Sequence, residues 1–298
     1  MDTLSKAKLA MDTVIRIKVV PGHHRLLQEA EERINRAFMV FRSIEQACSR
    51  FDVNSELMRA CRETGRPVPI SPRLFEPLKF ALAMAEVTDG AFDPTVGLAQ
   101  EELGFNRHYL TGETARSTAD RLASFRDIVL NERDRTLFLR TPLVIDLGAV
   151  AKGFAIDLAA SELKDFAGFM IDAGGDLYAG GLNERGELWQ VGIRHPIYKH
   201  SCLQTLDISN QSICTSGGYE RKSPLMKGVH HIIDPKSRRS PNEWISCSII
   251  APFAMMADAF STAAFLMNAE NGERLIEQAG ISGIMMSSNF RIVNVGGI

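Results

Sequence analysis

No stretch of the sequence approaches the ~20 consecutive apolar residues of a membrane-spanning helix, so a helical membrane protein is excluded. Cysteine is scarce. Cys48, Cys61, Cys202, Cys214 and Cys247 are scattered, and no two stand at C-x-x-C spacing. That argues against a disulfide framework or a zinc cage and leaves reduced thiols. An excess charge of one sign is also lacking, with 34 Lys and Arg against 36 Asp and Glu, a formal charge of -2. There is no electrostatic case for nucleic acid or for a membrane surface. Residues 1–20 mix charged and apolar positions without the apolar core of a secretory signal, and no cysteine lies near the start. The expectation is a cytoplasmic protein without a membrane anchor.

Repeats, low-complexity segments and long linkers are missing as well. What remains is a 298-residue chain, 45% apolar and 23% charged, ordinary for a globular protein and long enough to bury a large core. One domain over 1–298 is expected, although two lobes meeting at a cleft would read the same way. Residues 13–20 alternate as a half-buried strand, and 24–49 carry apolar residues at helical spacing. Residues 50–72 read as loop, and 72–88 as a helix with Pro72 in its first turn. Strands are expected at 128–130, 136–139, 143–147, 169–172, 203–215, 229–233 and 245–251. Helices are expected at 150–167, 254–267 and 271–279, and a hairpin at the end. Strands and helices mix without a βαβ rhythm, so the fold class is α+β, with mixed or antiparallel sheets and packed helices.

Several short patterns carry chemistry. Asp258 and Thr262 stand four apart on a predicted helix, where a carboxylate and a hydroxyl offer two hard oxygens to one divalent cation. The same pair also reads as a first-turn Asp and a Thr bonded to its own helix. Asp146-Leu147-Gly148-Ala149-Val150-Ala151-Lys152-Gly153 reads as strand, turn and helix N-terminus, a place for phosphate. Asp172-Ala173-Gly174-Gly175-Asp176 reads as a turn. His230 and His231 precede Asp234, and strand alternation directs at most one of them into a given site. Walker A, G-x-G-x-x-G and G-x-S-x-G patterns are all absent, disfavouring those nucleotide folds and hydrolases.

Taken in order, Met11-Asp12-Thr13, FDVNSEL (51–57), DGAFDPTVG (89–97), LGF (103–105), IDLGAVAKG (145–153), IDAGGDLYAGG (171–181), WQVGIRHP (189–196), TSGGYER (215–221), HHIIDP (230–235) and ADAFSTAAF (257–265) resemble the ApbE-type FAD:protein FMN transferases. The set spans nearly the whole chain. The resemblance implies an FAD cleft between two lobes. It implies Mg²⁺ held by Asp258, Thr262 and the backbone carbonyl of Ala149. Asp146 and Lys152 match FAD contacts, and Met11, Phe51, Ala91, Phe92 and Asp93 match pocket walls. Thr215, Ser216, Gly217 and His231 match the region where acceptor and pyrophosphate meet. His231 is the expected base, and Asp258 is the second catalytic residue. The implied reaction moves FMN from FAD to a Ser or Thr hydroxyl of an acceptor flavoprotein and releases AMP. Two alternatives stay open, an FAD pyrophosphatase and a flavin-binding protein without turnover. The sequence departs from the family pattern at Ala149, where Gly is common, at Leu98, where Pro is common, and after Pro235, where the usual turn Gly is missing.

Overall fold

Alternation at 13–20 does what the pattern demands. In a computed structural model, which describes residues 2–22, 27–198 and 200–297, this segment is a strand that buries Ile15, Ile17 and Val19 and turns Arg16 outward. In chain order the elements are β1 (Leu4–Ala10), β2 (Thr13–Val20), α1 (Leu27–Cys48), α2 (Glu56–Cys61), β3 (Val68–Pro69), α3 (Pro72–Val87), α4 (Gly97–Glu102), β4 (Ile128–Asn131), β5 (Thr136–Leu139) and α5 (Ala151–Leu163). They continue with β6 (Gly168–Ala173), β7 (Asp176–Gly181), β8 (Trp189–Arg194), β9 (Cys202–Ile208), β10 (Gln211–Gly217), β11 (Trp244–Ala251), α6 (Ala254–Leu266), α7 (Ala269–Gln278), β12 (Ser282–Ser287) and β13 (Ile292–Val295). The expected start of α1 at 24–26 lies outside the described residues.

Eight strands form one antiparallel sheet in the order β1-β2-β6-β7-β10-β11-β12-β13. Its pleat sorts side chains between two cores. Ile15, Ile17, Cys214, Cys247, Ile249 and Met285 face the helices. Ile213, Ile250 and Ile284 face the β8–β9 hairpin, which contributes Trp189, Val191 and Ile193. Each such apolar side chain contributes roughly 1.5–3 kcal/mol when fully buried. The fold is α+β, as the sequence predicts. Among the described residues no helix is long and apolar enough to cross a membrane.

Helix α1 buries Ile34, Phe38, Phe41 and Ile44 and packs on α5, which packs on α6, which in turn lies over β10 and β11. Two contacts lock α5 to α6. Asp157 accepts hydrogen bonds from the N–H groups of Ala254 (2.7 Å) and Met255 (2.9 Å), satisfying free donors at the start of α6. Gly153 lets the backbones touch, since a Cβ there would stand 2.4 Å from the Ala254 carbonyl oxygen.

Four expectations need correction. Residues 143–147 are extended but join no ladder, because Asp146 N–H bonds across to the Pro94 carbonyl in the 94–96 turn (2.7 Å). Residues 229–233 form only an isolated bridge, Lys222 with His230. The segment 203–215 is two strands, turned at Asn210 with φ 54°. Residues 50–72 are not all loop, since Ser55 caps α2 by accepting from Met58 N–H (3.0 Å).

Candidate active site

Two helices and the start of a strand converge on one ammonium group. Lys152, in the first turn of α5, pairs with Asp176 at the start of β7 and lies 3.5 Å from the Asp258 carboxylate on α6. Asp258 is almost wholly buried. Its Oδ2 accepts the Gly153 N–H at 3.2 Å, so the positive end of α5 faces this carboxylate. Burial pushes the Asp258 carboxyl above its ordinary range, while Lys152 and the Gly153 N–H pull it back. Asp176 also accepts the Thr215 N–H (2.9 Å), fixing the end of β10. One turn along α6 from Asp258, Thr262 Oγ1 lies 2.8 Å from Ser216 Oγ, which is 2.9 Å from Ser261 Oγ. The pleat of β10 splits its neighbours. Ser216 faces α6, while Thr215 turns the other way to Ser248 (2.8 Å).

A second group gathers around Asp146. Buried Arg50 donates to Asp146 and to the Phe105 carbonyl (2.6 Å), and its guanidinium lies over the Phe51 ring at 4.2 Å. Asp146 also accepts the Gly148 N–H (2.8 Å). His231 sets its ring edge-on to Phe105 with centroids 6.4 Å apart, and its carbonyl accepts from Gln100 (3.1 Å). Its Nδ1 is buried with no hydrogen-bond partner among the described residues, as are Arg50 Nη1 and Gln100 Oε1. Burial, together with Arg221 and His230, holds the His231 imidazolium down to about 4, so the ring is neutral at neutral pH. His230 is directed elsewhere. Its Nε2 meets the Pro241 carbonyl (2.8 Å) and its ring packs against Phe265.

The family model for ApbE matches residues 11–285. The chain belongs to the ApbE family. A FAD:protein FMN transferase of Treponema pallidum is 30% identical, covering 99% of this chain and 87% of its own length. One of Klebsiella pneumoniae is 28% identical, covering 78% of this chain and 73% of its own. The crystal structure of the ApbE protein from Thermotoga maritima superposes with a TM-score of 0.87 at 24% identity, covering 99% of this chain and 97% of that one. The flavin transferase ApbE from Vibrio cholerae gives 0.84 at 24% identity and covers 99% and 97%. At such identities the structural likeness speaks to the fold.

Within this ApbE-family chain the predicted residues fall into four places. Lys152, Ser216, Asp258 and Thr262 meet in the charged cluster, with Ala149 in the turn before α5 and Gly217 at the end of β10. Phe51 and Asp146 meet through Arg50, and His231 stands beside them on Phe105. Ala91, Phe92 and Asp93 form the turn after α3, next to Pro94 and so to Asp146. Both Asp93 oxygens are taken by protein donors, Thr95 and Phe125. Met11 is set apart in the β1–β2 turn (φ 51°), its N–H on Glu45 at 2.9 Å.

Two residues of the site were not singled out from sequence, Asp176 and Arg50. Asp176 lay in the IDAGGDLYAGG string, where it read only as the end of a turn, and Arg50 carried no signal. Two open clefts, of 690 Å³ beside Trp189 and 470 Å³ beside Arg59, include none of the predicted residues. The charged cluster does suit a small divalent cation. Two carboxylates share one ammonium, and the surrounding donors are hydroxyl oxygens, the hard ligands such an ion prefers. Among the described residues no three His, Cys, Asp or Glu side chains cluster as metal ligands, so a cation here would draw on hydroxyl and backbone oxygens beside the carboxylates.

Proposed function

We propose that this chain is an FAD:protein FMN transferase, moving the FMN half of FAD to a Ser or Thr hydroxyl of an acceptor flavoprotein and releasing AMP. The observation that carries the reading is the buried Lys152–Asp176–Asp258 cluster, with its Ser216–Thr262 hydroxyl pair, in a chain of the ApbE family. Asp258, Thr262 and the Ala149 carbonyl would hold Mg²⁺, which when bound neutralises charge on the phosphate oxygens. Asp146, Lys152, Thr215, Ser216 and Gly217 orient the FAD, and Met11, Phe51, Ala91, Phe92 and Asp93 form the pocket walls. His231, neutral at neutral pH, takes the proton of the attacking hydroxyl. A phosphorus–oxygen bond to the acceptor forms as the pyrophosphate bond breaks, and AMP departs.

The test uses purified protein, FAD, Mg²⁺ and a candidate acceptor domain, with the acceptor's intact mass as readout. A gain of one FMN, abolished by EDTA, is the expected result. AMP and free FMN without a mass gain would instead establish a pyrophosphatase.

A further inference from the structure

The chain carries almost no net charge, yet residues 221–240 hold six Lys and Arg against the single acid Asp234. Arg221 is answered by Asp12 (2.7 Å) and Arg238 by Glu102 (2.9 Å). Lys222, Lys227, Lys236 and Arg239 are exposed and make no ion pair among the described residues. Between the first two of them, Leu225 and Met226 are 68% and 52% exposed. The loop that presents them is braced. Ser223 Oγ donates to the Leu103 carbonyl (2.6 Å) and accepts from the N–H groups of Leu225 and Met226 (3.0 Å each). Leu225 also packs on Gly104, where a Cβ would lie 2.9 Å from its Cγ. The loop leaves from the end of β10 at Gly217 and returns at His231, whose N–H bonds back to the Arg221 carbonyl (3.2 Å). A partner resting on this loop therefore rests beside the His231 group.

We propose that the segment 221–239 is the docking surface for the protein acceptor, and that the acceptor presents its hydroxyl in an acidic segment carrying apolar side chains. The proposal rests on the transferase reading for the role of the hydroxyl. Charge complementarity names the occupant: four unanswered cations select an acidic partner and speed its encounter. The exposed Leu225–Met226 pair supplies the apolar contact that charge alone does not.

Two short rhodamine-labelled peptides decide the matter. Each has a central Thr flanked by Leu and Val, one with Asp and Glu in the outer positions and the other with Lys in the same places. Binding to the full chain, with and without FAD, is read by fluorescence anisotropy at low and high salt. The acidic peptide should bind at least about tenfold more tightly than the basic one, with the difference shrinking at high salt. The triple variant K222E/K227E/K236E should lose that preference, and L225S/M226S should weaken the acidic peptide separately. FAD affinity, read from flavin fluorescence, should stay the same in both variants. Equal binding of the two peptides would overturn the proposal. So would a parallel loss of FAD affinity, or wild-type co-sedimentation with phosphatidylserine vesicles that the triple variant abolishes. AMP release in the FAD samples after adding Mg²⁺ tests the transferase reading on its own, because a peptide preference without FAD turnover would sink that reading and leave the surface standing.

Discussion

Lys152 is the residue on which the cluster balances. Its ammonium is the counter-charge closest to both Asp176 and Asp258, and without it two carboxylates face one another in a largely buried space. Removing one partner of a buried ion pair typically costs about 3–5 kcal/mol. Lys152→Met should therefore lower stability to urea by about 3 kcal/mol, and added Mg²⁺ should restore part of the loss if the cluster accepts a cation. Asp258→Asn keeps the shape and removes the charge. It should reduce FMN transfer at least about 100-fold in the intact-mass assay, and unchanged transfer would remove Asp258 from the site. Two other residues give opposed pH effects. His231 titrates at 6.5 in an unfolded chain and at about 4 in the fold, so between those values stability rises with pH. Asp157 moves from 3.8 up to about 6, mainly through burial, so over nearly the same range stability falls as pH rises. Each slope is at most about 1.4 kcal/mol per pH unit. Urea unfolding of His231→Gln between pH 4 and 6 should show stability falling with rising pH, and Asp157→Asn should show the reverse.

At the scale of elements, the contact between α5 and α6 sets Lys152 against Asp258. A methyl group at Gly153 would meet the Ala254 carbonyl and the Met255 backbone, 2.4 Å and 2.6 Å away, neither of which can rotate aside. Gly153→Ala should cost about 1–3 kcal/mol in thermal or urea unfolding and should weaken FAD turnover by displacing Asp258 from Lys152. Elements of this kind were legible in two ways: β2, α1 and α3 follow one-sided periodicities, whereas β11 and α6 are buried on nearly every side and read as apolar runs of strand and helix length. The short ones were not. Helix α2 has six residues, too few to stand on its own propensity. It forms because Ser55 caps it and Glu56 reaches across to the Ser71 N–H and hydroxyl. Strand β1 was missed because, as an edge strand, it is largely exposed and carries Lys6 and Lys8 where an apolar pattern would have marked it. The apolar run at 143–147 looked like a strand because buried extended chain and buried strand share a composition. What separates them here is that the Asp146 N–H bonds to the Pro94 carbonyl of a turn and not to a strand.

For the molecule as a whole, a ligand that binds only the folded state raises its stability by mass action. Mg²⁺ with FAD, at about a hundred times its dissociation constant, should add about 3 kcal/mol and raise the melting temperature. EDTA or Asp258→Ala should remove the metal-dependent part, and an unchanged melting curve would count against the metal assignment.

The sequence by itself determined the α+β class, the family and the order of motifs along the chain. Those are properties of local pattern and of residues quoted in succession. It also determined which carboxylates, hydroxyls and histidines were available. The tertiary structure decided which of them meet. Lys152 and Asp176 stand 24 positions apart and Asp258 a further 82 along the chain, yet all three share one buried site because the α5–α6 contact and the β7–β10 pairing bring their elements together. It also decided that Thr215 and Ser216 face opposite ways, that Asp93 spends its oxygens on Thr95 and the distant Phe125 N–H, and that Arg50 stands behind Asp146. The physical reason is range. Hydrophobic periodicity is set by neighbours a few residues away, whereas the charge and burial of a site are set by side chains that only the completed sheet and its helices place within a few ångströms.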